Sequence, residues 1–278
     1  MRNPKWEFGS IDASYKSWQI FNRQVALLED GLKSVYLRGK DIDLTIFPLI
    51  YAILDSCHSI STLAQTGKVR DIFVLARSVL ETIINVCFIY AQGTEAAEKI
   101  SRHAEQKSIR DLERELRFNT SRIRLKWEGQ DELVLKEEVK QALNEFTTTT
   151  GKDERKWTPE NLIKRLEVIA SKYEARVGTS LAFGIFSIYR HASEILHGTL
   201  FGVLFVLGFT KPNWKPIEKT ELEKLHVGNL QMLLIILGFN ISALILVLSV
   251  ELDNKELAEA TKLITEELKV LFEKEFSD

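Results

Sequence analysis

Residues 71–92 read DIFVLARSVLETIINVCFIYAQ, and this stretch decides the fold. Its apolar residues return every three or four positions and leave almost no polar face, which is the pattern of an α-helix buried on nearly all sides rather than one lying on a surface. Besides the small hydroxyls of Ser78 and Thr82, its interior is interrupted by Arg77, Glu81 and Asn85, each four residues from the last, so they form one polar stripe along an otherwise apolar rod. A second stretch, LHVGNLQMLLIILGFNISALILVLSV at residues 225–250, contains no Asp, Glu, Lys or Arg. Its length would span a bilayer. However, His226, Asn229, Gln231, Asn240, Ser242 and Ser249 punctuate it, and a helix at the centre of a soluble bundle is the reading adopted.

Working outward from these two segments, the chain reads as all-α, a multi-helix bundle of eight or nine helices in a single domain over 1–278. The expected helices are Ile11 to Tyr36, Leu44 to Thr66 closed by Gly67, Asp71 to Gln92, and Glu95 to Arg117 capped by Thr94. Glu132 to Phe146 follows, then a helix launched by Thr158 and Pro159 and running to about Ala175. Leu181 to Leu196, Thr220 to Leu252 and Lys255 to Phe276 complete the set, and Leu200 to Phe209 is apolar but broken by glycines before Pro212 and Pro216 mark a loop. Between 118 and 157 the periodicity weakens, and this stretch is read as a mobile excursion.

Composition narrows the function classes. The formal net charge is −2, which argues against a surface given over entirely to nucleic acid. Locally, residues 99–126 hold nine basic residues against four acids, among them Arg102, Arg110, Arg114 and Arg117, enough for an arm that touches phosphate or for a solvated helix laced with ion pairs. The two cysteines, Cys57 and Cys87, lie in apolar helical runs without metal-ligand spacing, so no metal or disulfide framework is expected, and a cytoplasmic location fits best. The first twenty residues lack an apolar core, so no secretory signal is expected. No glycine-rich phosphate loop and no HExxH motif is present, and no cofactor is expected.

The chemically suggestive segment is IYRHASEILHGT at 188–199. Seven residues of α-helix turn through roughly 700°, so Arg190 and His197 project from one face about 10 Å apart, with Glu194 on the same stripe. With Arg77 and Glu81, and with Asp55 and His58 in the second helix, they form polar stripes on otherwise apolar helices. Each taken singly reads as an internal ion pair or a satisfied core histidine. Because buried ions are costly unless paired, Arg77, Glu81 and the Arg190 to His197 face are expected to line one polar cavity.

Arg190, His191 and His197 resemble the Arg-x4-6-His motif of the HEPN superfamily (higher eukaryotes and prokaryotes nucleotide-binding), in which a polar residue often follows the arginine. Arg77-x3-Glu81, Trp157 and Tyr189-x3-Ser193-x3-His197 are together similar to a bacterial helical family of unknown function with HEPN-like character, over roughly Asp41 to Leu252. The resemblance implies a HEPN-like core and a metal-independent ribonuclease assembled where two motif helices meet across a homodimer. It also implies a role as a toxin or phage-defence effector with an antitoxin or other defence protein as partner. A non-catalytic module held by a buried ion-pair network, and a membrane-associated effector, are the competing readings.

Overall fold

The computed structural model describes residues 11–127, 136–208 and 218–276. Eleven α-helical segments occur among them, two of which are joined without a break, giving ten rods and one two-stranded hairpin. In order they are α1 (Ile11–Arg38), α2 (Asp41–Gln65), α3 (Val69–Gln92), α4 (Thr94–Asp111), β1 (Glu113–Phe118), β2 (Ser121–Lys126), α5 (Glu137–Glu145) and α6 (Leu162–Tyr173). Then come α7 (Ala175–Gly184), a π turn over Ile185–Tyr189, α8 (Arg190–Leu196), α9 (Leu200–Val206), α10 (Lys219–Glu251) and α11 (Lys255–Phe276). The all-α expectation therefore holds, with one rod more than the eight or nine anticipated.

The two apolar stretches form the centre. Helix α3 packs against α2, α4, α6, α8 and α10, and α10 in turn packs against α1, α7 and α11. A contiguous apolar core runs through them from Phe21 to Leu257, with Phe73, Leu80, Ile84, Leu233, Leu237 and Leu244 fully enclosed. The polar residues of α10 serve this packing: the Gln24 side-chain amide donates to the Gly238 carbonyl at 2.8 Å and to Ser242 Oγ at 2.7 Å. Position 238 must be glycine for that approach, because a Cβ there would stand 2.5 Å from Gln24 Oε1. Three helices, α2, α3 and α10, are long and apolar enough to cross a membrane, and in α10 the most apolar window is 83% buried inside the fold.

A buried polar network ties the chain's first turn of connections together. Asp43 at the start of α2 accepts from Arg38 Nε at 2.7 Å, from the Lys40 amide at 3.1 Å and from the Tyr90 hydroxyl at 3.1 Å, and is almost fully enclosed. The Lys40 bond satisfies a helix-start donor that has no partner within the helix.

Several expected boundaries move. The helix expected at Glu95 to Arg117 stops at Asp111, because residues 113–126 alternate with period two and form an antiparallel hairpin turning at Asn119, whose φ is 53°. One hairpin face carries Leu116, Phe118, Ile123 and Leu125; the other carries Glu113, Glu115, Arg122 and Arg124. Neither face is covered among the described residues. The helix expected from Thr158 starts instead at Leu162, capped by Asn161, whose side chain accepts from the Lys164 amide at 2.9 Å, while the Thr158 hydroxyl turns to Glu160. The helix expected from Leu181 begins six residues earlier, at Ala175. Gly178 is interior to it and lets α7 close on α6, since a Cβ there would meet Ala170 Cβ at 2.6 Å. Thr94 is the first residue of α4 rather than its cap. Of the stretch 118–157 read as an excursion, residues 128–135, which include the expected start of the Glu132 to Phe146 helix, lie outside the described residues. So do Pro212 and Pro216.

Candidate functional site

The polar stripe of α3 meets the π turn. Arg77 Nε donates to Glu81 Oε1 at 3.1 Å, one helical turn on, as the i,i+4 spacing requires. Its Nη2 donates to the Tyr189 hydroxyl at 3.1 Å, and the guanidinium carbon lies 4.4 Å from the centre of the Tyr189 ring. The third nitrogen, Nη1, is buried without a partner among the described residues. Asn85 continues the stripe, and its side-chain oxygen accepts from Arg165 Nη1 of α6 at 2.6 Å. Arg165 interrupts the apolar stripe of Leu162, Leu166, Ile169 and Tyr173. Burial pushes its guanidinium below its ordinary value against the attraction of Glu81, Glu160 and Tyr189, and its Nε is enclosed without a partner.

These groups border a cavity of about 580 Å³, walled by Glu81, Asn85, Arg155, Lys156, Arg165 and Tyr189 on its polar side. The remainder of the wall is largely apolar, with Trp157, Ile163 and Ile185. Trp157 is fixed from behind by Phe88, the ring centres 5.9 Å apart.

Arg190 and His197 stand elsewhere. Both are exposed, their side chains make no hydrogen bond or ion pair among the described residues, and neither borders the cavity. The expected convergence of Arg77 on Arg190 is thus taken up by the neighbouring Tyr189. Glu194 is half-buried and pairs with neither arginine: its Oε2 accepts from the Thr199 hydroxyl at 2.6 Å, and Thr199 Oγ1 in turn accepts from the Gly202 amide at 3.1 Å to cap α9. Helix α9 crosses α8 so closely that a Cβ on Gly202 would lie 2.5 Å from the Glu194 carbonyl. His191 is sandwiched by this crossing, its ring 4.2 Å from Phe205 at an interplanar angle of 12°. Burial first, and the adjacent Arg190 charge second, push its pKa down, so at neutral pH it is an uncharged packing ring. Ser193 is half-buried on α8. His58 lies on α2 and pairs with Glu29 of α1 at 3.0 Å, away from this cluster.

The basic stretch is neutralised in place. Arg102 pairs with Glu145 at 2.9 Å, Arg110 with Asp153 at 3.7 Å, Arg114 with Asp111 at 3.6 Å and Arg117 with Glu115. By contrast, Arg155 and Lys156 at the cavity mouth are exposed and have no ion-pair partner among the described residues. Sequence reading passed over Arg155, Lys156 and Arg165. The signal for Arg165 was there, a cation on the apolar stripe of an amphipathic helix.

A family model described as a family of unknown function, DUF5677, matches residues 43–213, more than half of the chain. The chain belongs to this DUF5677 family. The matched span runs from the first turn of α2 past α9 and takes in Arg77, Glu81, Trp157, Arg165, Tyr189, Arg190 and His197, while α1, α10 and α11 lie outside it. No curated protein and no solved structure matches the chain.

Proposed function

We propose that this DUF5677 protein is a metal-independent endoribonuclease with a HEPN-like core, acting in the cytoplasm as a homodimer. The observation that carries the reading is that Arg190 at the start of α8 and His197 at its C-cap are both exposed and have no carboxylate partner among the described residues, unlike the arginines of α4 and the hairpin. A guanidinium and an imidazole left free in this way are available to a ligand phosphate. Around them Phe186, Leu196, Leu200 and Phe201 are uncovered, which gives a second copy apolar surface to bury beside the motif.

In this reading His197 takes the proton from a ribose 2′-hydroxyl as its oxygen attacks the adjacent phosphorus. The bond to the 5′-oxygen breaks, leaving a 2′,3′-cyclic phosphate and a 5′-hydroxyl. Arg190 holds the charge that gathers on the phosphoryl oxygens, and the second imidazole of the dimer protonates the leaving oxygen. Glu194, engaged by Thr199, and His191, engaged by Phe205, position α8 against α9 rather than touch the phosphate. DNA, which lacks the 2′-hydroxyl, is not a substrate. A toxin or defence role with an antitoxin-like partner follows from the HEPN resemblance alone.

The test is incubation of purified protein with total RNA in EDTA, beside Arg190→Ala and His197→Ala. Cleavage by the wild type alone is expected, falling with dilution as the dimer dissociates; equal cleavage by the His197→Ala protein, or none by any, overturns the reading. The alternative of a non-catalytic module draws on the Arg77–Glu81–Tyr189 network, whose contribution to stability is measurable separately.

A further inference from the structure

The cavity between α3, α6 and the π turn has a division of labour that the ribonuclease reading does not use. One side is cationic: Arg155 and Lys156 at the mouth, Arg165 further in, and Arg77 behind Glu81 and Tyr189. The carboxylates near it are Glu81, held by Arg77, and Glu160, held below its ordinary pKa first by the Thr158 hydroxyl and further by Lys99 and Arg165. Four cations against two carboxylates leave an excess of two positive charges around one opening.

The other half-buried arginine guanidinium groups of this near-neutral chain meet a carboxylate directly, Arg38 with Asp43 and Arg77 with Glu81, as do many exposed ones, among them Arg23 with Glu267 and Arg124 with Glu113. Arg165 is the contrast. It is half-buried and, among the described residues, bonds only to the neutral Asn85 amide oxygen and keeps an enclosed Nε without an acceptor. A desolvated guanidinium that feels Glu81 and Glu160 only at a distance and has no carboxylate in direct contact carries a standing cost, which a bound anion would relieve. The other side of the cavity is apolar, with Trp157, Ile163 and Ile185, and the volume of about 580 Å³ falls in the range of small-molecule sites.

We propose that this cavity binds a phosphomonoester carried on a flat aromatic body, with the phosphate at Arg165, Arg155 and Lys156 and the ring against Trp157 and Ile163. A phosphate dianion balances the surplus charge, and its oxygens offer the acceptors that guanidinium groups match best. The aromatic body fits because Trp157 is already braced by Phe88 and loses little freedom on stacking. The site is independent of the ribonuclease reading, since Arg190 and His197 do not border it.

Calorimetric titration of the full chain with phenyl phosphate, inorganic phosphate and phenol tests it. Phenyl phosphate is expected to bind saturably and more tightly than inorganic phosphate, and phenol not at all. Arg165→Gln is expected to weaken phenyl phosphate binding by roughly ten-fold or more, the loss of a charge-assisted bond. Because Arg165 is partly buried, the rim double variant Arg155→Ser/Lys156→Ser is the second arm; it leaves the interior intact and is expected to lower affinity and flatten its dependence on salt. An Arg190→Ala/His197→Ala protein is expected to bind like the wild type, which separates this result from the outcome of the RNA assay. The proposal is overturned if phenyl phosphate shows no saturable binding at millimolar concentration. It is equally overturned if phenol or inorganic phosphate binds as well as phenyl phosphate, or if the rim variant binds unchanged.

Discussion

Replacing Arg77 by methionine separates structure from chemistry at the α3–α8 junction, and the cost can be worked from its contacts. Methionine keeps the aliphatic stem and removes three interactions. The charged hydrogen bond to Tyr189 contributes about 1.5–3 kcal/mol. The cation over the Tyr189 ring, partly desolvated, adds about 0.5–2 kcal/mol. The pair with Glu81 adds less than about 1 kcal/mol, because that carboxylate is 40% exposed and screened by water. Against these, the enclosed Nη1 that lacks a partner disappears with the side chain and relieves about 1–3 kcal/mol of desolvation. The net expectation is a loss of about 1–3 kcal/mol. Arg190→Met, on an exposed face, should stay within about 0.5 kcal/mol of the wild type. Urea unfolding followed by far-ultraviolet circular dichroism measures both. Tyr189→Phe, which keeps the ring and loses the hydroxyl that Arg77 donates to, should cost about 1.5–3 kcal/mol, and Tyr189→Leu more. A cycle of Arg77→Met with Tyr189→Leu should show coupling of about 0.5–2 kcal/mol. Equal losses from Arg77→Met and Arg190→Met, or no coupling between 77 and 189, would refute the assignment of Arg77 to helix register and Arg190 to solvent.

Two further outcomes follow from buried groups. Asp43→Asn leaves the Arg38 guanidinium without its anion and should cost on the order of 3 kcal/mol at pH 7. Burial pushes the Asp43 carboxyl up, but the bonds from Arg38, the Lys40 amide and Tyr90 outweigh it and hold the group below its ordinary value. The contribution is therefore fully present above the unfolded-state value of about 3.9 and is lost as pH falls through the lower folded-state value, so the gap between wild type and Asp43→Asn should close only in acid; a gap that closes near neutrality would contradict it. Burial pushes the Cys57 thiol up to about 12 and raises Cys87 in the same sense, so neither should react with a thiol reagent at pH 8 until denaturant is added. Labelling of the native protein within minutes would show that one of these helices opens.

Much of the fold was legible because it rests on long periodic segments. The all-round apolar character of 71–92 and 225–250 located the two central helices, and the spacing of Arg77 and Glu81 placed their ion pair. The first hairpin strand reads as the end of a helix as far as Arg117, because its charged residues at short range look like those of a solvated helix, and the second falls in the stretch read as an excursion; only the alternation of Arg114, Leu116 and Phe118 against Glu113, Glu115 and Arg117 marks a strand. The start of α7 was missed because Glu174 makes the break with a φ of 87°, a conformation for which glycine is the usual signal. At the site, a helical wheel gave the shared face of Arg190 and His197 but not what that face meets. Tyr189, just before α8, meets α3, and the partners that hold Glu194 and His58 come from Thr199 and from another helix. Partners supplied by other segments leave no trace in local spacing.

The π turn at Ile185–Tyr189 amounts to one residue inserted into a rod that otherwise runs from Ala175 to Leu196. A π turn winds less per residue than an α-helix, so every position after it lies about 100° behind where unbroken α winding of the same residues would put it. Delete a single residue between 185 and 188, and regular winding would leave Arg190 and His197 on their present aspect. Wind the rod regularly at full length instead, and Ile188 would come to the place where Tyr189 now lies over the Arg77 guanidinium, while Tyr189 turned to the aspect of Arg190. The extra residue thus sets both which side chain seals the interior and which pair is shown to the outside, and a change of winding here would reassign both at once with the composition of the motif untouched.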